Sequence, residues 1–144
     1  MILLRPAVLE DSETILGWRN EKTTYKYFRT PSPVTQRTHD HWMGIRLTDP
    51  NHRLQIAEKE GERIGLVRYD ERDEGCEIGL TMAPKFRGQG LGYIVLNMAT
   101  INAEIPLNAY IKPANIASVR VFERCHFFAL GGDGVFVLYR REPL

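Results

Sequence analysis

The chain has 144 residues, 43% of them hydrophobic and 26% charged, which is enough apolar material for one domain core and too much for a disordered tail. Lys+Arg 19 against Asp+Glu 18 leaves a formal net charge of +1, and this excludes the broad basic excess of a chain that binds nucleic acid through its phosphates. Two cysteines, Cys76 and Cys125, are too few for a disulfide framework and read as free thiols of a reducing compartment. The apolar run in MILLRPAVLEDSE is too short for a signal peptide, and nothing downstream approaches a membrane span. A cytoplasmic enzyme or small-ligand binder is expected.

Residues 2–5 are an apolar run closed by Pro6, an opening strand. Glu10, Asp11 and Glu13 crowd the start of a helix carrying Ile15, Leu16 and Trp18, where exposed N–H groups favour negative charge. It is predicted to stop near Asn20. Residues 22–33 alternate threonines, aromatics and basic residues and then show two prolines, the composition of a surface segment. Residues 38–47 read as a second helix with Trp42, Met43 and Ile45 inward. The period then changes: residues 53–58 and 63–69 flank Lys59-Glu60-Gly61-Glu62, a hairpin signal, and residues 76–82 return as the next strand. Residues 89–104 form the clearest helical pattern, with Leu91, Ile94, Val95, Met98 and Ile101 at steps of three and four. A strand at 107–112 and a short helix at 118–125 follow, the helix turning Val119, Val121 and Phe122 inward. A second hairpin, 127–130 with 135–139, closes around Gly131-Gly132-Asp133-Gly134. The order β-α-α-β-β-β-α-β-α-β-β describes one mixed α/β domain over 1–144.

Arg87-Gly88-Gln89-Gly90-Leu91-Gly92 stands between a strand and the strongest helix. Glycine in a helix costs about 1 kcal/mol relative to alanine, so three at one junction need a reason. Without Cβ atoms, the free N–H groups of the loop and first turn can close around anionic oxygens, aided by the helix dipole. Arg87 would add a forked donor. A phosphate or pyrophosphate is the expected ligand. The spacing is not the G-x-G-x-x-G of a dinucleotide fold, and no Lys-Ser or Lys-Thr follows as a triphosphate loop requires. A glycine-eased strand-to-helix junction is the plainer alternative.

Arg87-x-x-Gly90-x-Gly92 after a strand, with Pro84 just upstream, resembles the acetyl-CoA pyrophosphate loop of the GNAT superfamily of N-acetyltransferases. Asn115-x-x-Ser118-x-x-x-Phe122-Glu123 is similar to that family's second cofactor segment. Arg5-Pro6 with Trp18-Arg19-Asn20 resembles the opening of a branch that includes amino-sugar and ribosomal-protein N-terminal acetyltransferases, and Glu77-Ile78-Gly79 fits its fourth strand. The resemblance implies a GNAT-like fold whose mixed sheet splays between its fourth and fifth strands. It implies acetyl-CoA with the pantetheine arm beside Leu80 and Met82. The pyrophosphate would lie on Arg87, Gly88, Gln89, Gly90, Leu91 and Gly92, with Asn115 and Ser118 near the arm and Phe122 near the thioester. Asn115 also reads as a helix cap.

The resemblance further implies a primary amine as acceptor, on a small molecule such as an amino-sugar in nucleotide-linked form. A protein N-terminal acetyltransferase and a non-catalytic CoA-binding domain stay open. Where many of these enzymes carry a tyrosine acid, this chain has Phe122, which has no proton to give. Glu77 is the first candidate for the base and a salt-bridged sheet carboxylate is its alternative; Tyr110 is second, as substrate-orienting phenol or replacement acid, against a core tyrosine. His126 stands where the family usually has glycine, and surface placement suits it. Cys125 suits buried packing. His39-x-His41 lacks a third ligand at convincing spacing, and no metal is expected. Arg19, Asn20, Tyr25, Tyr27 and Trp42 fall in the part that, by resemblance, covers the acceptor.

Overall fold

Glu60 and Gly61, with φ of 51° and 81°, make the tight turn that folds strand β3 (Glu62–Arg72) back on β2 (His52–Lys59). The computed structural model describes all of residues 1–144, and around this hairpin it builds one seven-stranded sheet. The other strands are β1 (Ile2–Pro6), β4 (Gly75–Met82), β5 (Leu107–Ile111), β6 (Phe128–Gly132) and β7 (Val137–Arg141). Their order is β1-β2-β3-β4-β5-β7-β6. Every neighbouring pair is antiparallel except β4 and β5, which run parallel and meet only at Cys76–Leu107 and Glu77–Asn108. Past those two rungs the strands part. This is the splay expected between the fourth and fifth strands.

Helices α1 (Ser12–Arg19), α2 (Lys22–Tyr25) and α3 (Gln36–Thr48) lie in the first half of the chain, before β2. Ile15 and Met43 from this group pack with Ala7, Leu54, Ile56 and Leu66 into a front core, flanked by Trp18 and Trp42. Helices α4 (Leu91–Thr100) and α5 (Ile116–Arg124) cover the back. There Val67, Ile78, Val95, Leu96, Phe122 and Phe127 belong to the larger core. Burial of such side chains stabilises by about 1.5–3 kcal/mol each, so the two cores hold the sheet from both faces. No helix is long and apolar enough to cross a membrane.

Some expected inward residues point out. On α4 the buried stripe is Leu91, Val95, Leu96 and Thr100, whereas Ile94, Met98 and Ile101 are exposed. An almost wholly apolar helix offers more than one stripe at a period of 3.6, and periodicity alone does not choose between them. On α3 Met43 is buried and Ile45 exposed. Residues 22–25 form a single helical turn rather than an irregular segment, because Thr24 is drawn under Arg87.

Candidate active site

Ala83 donates its N–H to Ile64 O at 2.8 Å, and β4 continues in that register along β3, with Thr81 opposite Leu66 and Gly79 opposite Arg68. Residues bonding across one edge of an antiparallel strand alternate with those facing the other edge. Glu77, Gly79 and Thr81 therefore bond toward β3, and Ile78, Leu80 and Met82 turn their N–H and C=O groups toward β5. At Cys76 that edge is engaged, by Pro106 O at 2.9 Å. At Leu80 β5 has already left. A strand edge left open inside a fold suits an extended, amide-bearing ligand. A cleft of about 1190 Å³ passes through the opening, at the upper end of small-molecule sites, which run to about 1,000 Å³.

The back half of the cleft ends at the start of α4. Gly88 and Gly90 adopt φ of 75° and 76°, a left-handed backbone open to glycine and costly to most other residues. A Cβ at either would meet open space, so conformation rather than crowding requires glycine here. No side chain caps α4, and its unbonded first-turn N–H groups form an anion cradle with the helix dipole. Leu91 is buried and anchors the helix below the cradle, and Gln89 donates to Lys85 O at 3.3 Å. Asn115 caps α5, its Oδ1 accepting the Ser118 N–H at 3.3 Å. Both residues line the cleft, as does Phe122, whose ring meets Phe127 edge-on at 5.0 Å.

Arg87 departs from the expected free fork. Its Nε and Nη2 donate to Met82 O at 3.3 and 3.1 Å, its Nη1 to Thr23 Oγ1 at 2.8 Å and its Nη2 to Thr24 Oγ1 at 2.6 Å. The guanidinium straps α2 to the end of β4. It also engages the Met82 carbonyl, leaving Leu80 as the open backbone edge.

The front half is built on the opposite face of β4. Glu77 lies here, with Oε2 at 3.1 Å from Arg68 Nη1 and Oε1 at 3.8 Å from Arg72 Nη2. Arg68 also bonds buried Asp70, which takes Arg46 and, at 2.7 Å, His52 Nδ1. Burial pushes the Asp70 carboxyl upward, but hydrogen bonds from His52 and Arg46 and the charges of Arg68 and Arg46 outweigh it and hold the group below its ordinary value. Arg68 lies over Gly79, where a Cβ would stand 2.8 Å from Nη2. Tyr110 is exposed on this face with Arg29 4.9 Å above its ring, and is not the core tyrosine that was the alternative. Burial pushes the Cys76 thiol up to about 11 and raises Cys125 as well, so neither is a ready thiolate. His126 is exposed.

Residues 1–128 match the family model described as an acetyltransferase (GNAT) domain. The chain belongs to the GNAT family. Among curated proteins a sequence search finds no match. A domain from Methanocaldococcus jannaschii DSM 2661 is similar in structure to this GNAT domain, with a TM-score of 0.85 and 21% identity over 99% of this chain and 98% of that one. Spermidine N-acetyltransferase from Vibrio cholerae, solved with CoA and spermine, gives 0.81 and 20% over 96% and 92%. Campylobacter jejuni N-acetyltransferase PseH, solved with acetyl coenzyme A, gives 0.74 and 19% over 99% of each chain. At these identities the likeness is one of fold.

Sequence reasoning missed Arg46, Arg68 and Asp70 as cleft residues of the GNAT domain. The signal for the last two was present: Leu66, Arg68 and Asp70 alternate along β3 and share the face that Glu77 occupies on β4.

Proposed function

We propose that this GNAT domain transfers the acetyl group of acetyl-CoA to a primary amine on a small acceptor, an amino-sugar in nucleotide-linked form. The observation that carries the reading is the cleft through the splay, with an anion cradle at its back end, an open strand edge at Leu80 in its middle and a polar, aromatic chamber at its front. A long donor with phosphates at one end, amides along its arm and a thioester at its tip matches that sequence of surfaces. The pyrophosphate would rest on the loop from Gly88 to Gly92. The pantetheine arm would bond the Leu80 edge and the Met82 N–H beside Asn115 and Ser118, and the thioester would reach Phe122. Arg87 serves by holding the loop rather than by touching phosphate.

Transfer forms a bond from the amine nitrogen to the acetyl carbon and breaks the carbon–sulfur bond. The acceptor ammonium must first lose a proton, and Glu77, facing the front chamber, receives it directly or through water. Arg68 and Arg72 keep that carboxylate aimed. The amine loses a second proton as the amide forms, and the departing thiolate takes one up. Tyr110 is the phenol on this face that can relay it, since Phe122 cannot. Rings at Trp18, Tyr27, Phe28 and Trp42 line the front and suit the apolar face of a sugar.

An acetylation screen with thiol-release readout tests this, using nucleotide-linked amino-sugars, free hexosamines, polyamines and Ser- or Ala-starting peptides. The expected result is CoA release with the nucleotide-linked amino-sugars at the highest kcat/KM. Preference for peptides would replace the acceptor assignment with protein N-termini. CoA binding without turnover on any amine would make the domain a binding module.

A further inference from the structure

Besides Arg19, which is held by the carbonyls of Thr30 and Ser32, two groups of basic residues line the front chamber. Arg46 and Arg68, and Arg72 at the exposed end of β3, all have carboxylate partners, Asp70 and Glu77. At the rim, Lys26, Arg29 and Lys112 have none within 4.0 Å. Instead they gather on aromatic rings. Arg29 lies 4.6 Å from the Phe136 ring and 4.9 Å from Tyr110, Lys112 Nζ lies 5.5 Å from the same Phe136 ring, and Lys26 Nζ stands 4.8 Å from Tyr27. Lys112 also donates to Lys26 O at 3.1 Å, which ties the segment after β5 to the segment after α2. A ring contributes only about 0.5–1 kcal/mol to an exposed cation, which does not neutralise three like charges brought to one mouth. Asp133 feels the charge of Arg29 without pairing with it, and its Oδ1 is turned into its own loop by the N–H groups of Val135 and Phe136 at 2.9 and 2.7 Å.

The alternation of β5 fixes which substrate meets this rim. Ala109 and Ile111 point into the back core with α4 and α5, so Tyr110 points to the front, and Lys112, just past the strand, reaches the same side through Phe136, which shares Arg29 with Tyr110. The donor's phosphate cradle is at the start of α4, on the other side of the sheet. A rim of unpaired cations over a narrow mouth raises the local concentration of anions and repels polycations. A polyamine is the wrong charge for it.

We infer that Lys26, Arg29 and Lys112 form a phosphate subsite for the acceptor, so that the amine enters on a molecule carrying a phosphate or diphosphate. This rests on the reading of the front chamber as the acceptor's. The amine reaches toward Glu77 while the phosphate stays at the rim, and the guanidinium of Arg29 supplies the fork that grips two oxygens at once.

Calorimetry on the protein saturated with CoA tests the subsite without requiring turnover, because the donor's own phosphate site is then filled. The probes are uridine diphosphate, inorganic pyrophosphate, glucosamine 6-phosphate and, as the uncharged control, uridine. Phosphate-bearing probes are expected to bind more weakly as salt rises. In an Arg29→Gln, Lys112→Gln double variant they should lose about tenfold or more, with CoA affinity unchanged. Tighter binding of uridine diphosphate than of the other two would identify a nucleotide-linked acceptor, and equal binding a sugar phosphate. Failure of every phosphate probe to bind, or equal affinity in the double variant, overturns the subsite. Binding that follows the rim charges, with no acetylation of any amine, would leave the subsite standing and remove the transferase reading.

Discussion

At the head of the cleft the Arg68 guanidinium lies across Gly79 and bridges Asp70 and Glu77, which face each other in the β3–β4 register. Glu77 is thus a salt-bridged sheet carboxylate, and in the proposed mechanism the same group would take the acceptor's proton; kinetics separates the two roles. Glu77→Gln keeps the shape and removes the proton acceptor. The expected outcome is unchanged CoA affinity with kcat/KM lower by about 10²–10⁴, the deficit narrowing as pH rises because more of the acceptor arrives as free amine. A pH–rate profile of both proteins on one amine checks this, and parallel profiles with the loss confined to acceptor KM would make Glu77 a positioning residue. The residue types at this site were legible in the sequence, because glycines at a strand-to-helix junction and a carboxylate on a strand have few uses. Their partners were not. Arg87 beside a glycine loop reads as a phosphate fork, and only the fold reveals that Thr23, Thr24 and Met82 O, from two other elements, hold the guanidinium.

Among the elements, the helix ends separate what local pattern conveys from what packing decides. The turn at α2 was invisible because Lys-Thr-Thr-Tyr has little helical preference; it forms where Arg87 and the end of β4 hold it. The end of α5 is the reverse case. His126 follows the last turn with φ 71°, the left-handed geometry in which helices commonly finish on glycine. Its N–H still bonds Glu123 O at 3.1 Å, so the geometry is set by the helix end and not by the imidazole, which is exposed. A side chain there costs about 1 kcal/mol relative to glycine. His126→Gly is therefore expected to raise the melting temperature by about 2–4 °C and to leave acetyl transfer unchanged. Thermal unfolding with a parallel activity assay checks it, and a fall in Tm would mean that the His126 side chain stabilises the fold.

Across the whole molecule, the front core is small and its N-terminal contribution, Ala7 and Ile15, joins the sheet beside one buried carboxylate. Asp11 receives Arg5 from β1 through two bonds of 2.8 Å, Arg63 from β3 at 2.8 Å and the Val8 N–H at 2.8 Å. The Arg5 hydrogen bonds, opposed by burial and reinforced by Val8 and Arg63, bring this carboxyl down to about 2 from 3.8. A group held lower in the folded state stabilises the fold above its unfolded value, and that stabilisation disappears as pH falls through the folded value. For Asp11 the loss should run from about pH 4 to about pH 2 and amount to about 2 kcal/mol; Asp70, shifted in the same direction, adds to the same acid limb. Asp11→Asn leaves Arg5 and Arg63 facing a neutral amide, so at pH 7 the variant should be less stable by about 2–4 kcal/mol. The gap between the two proteins should then shrink on acidification, since the wild type loses by protonation what the variant already lacks. Urea unfolding at a series of pH values from 7 to 2.5 reads both slopes. A gap that stays constant down to pH 2.5 would mean that Asp11 contributes through packing and neutral hydrogen bonds, and that the acid sensitivity of the fold belongs to Asp70 on the far side of the front core.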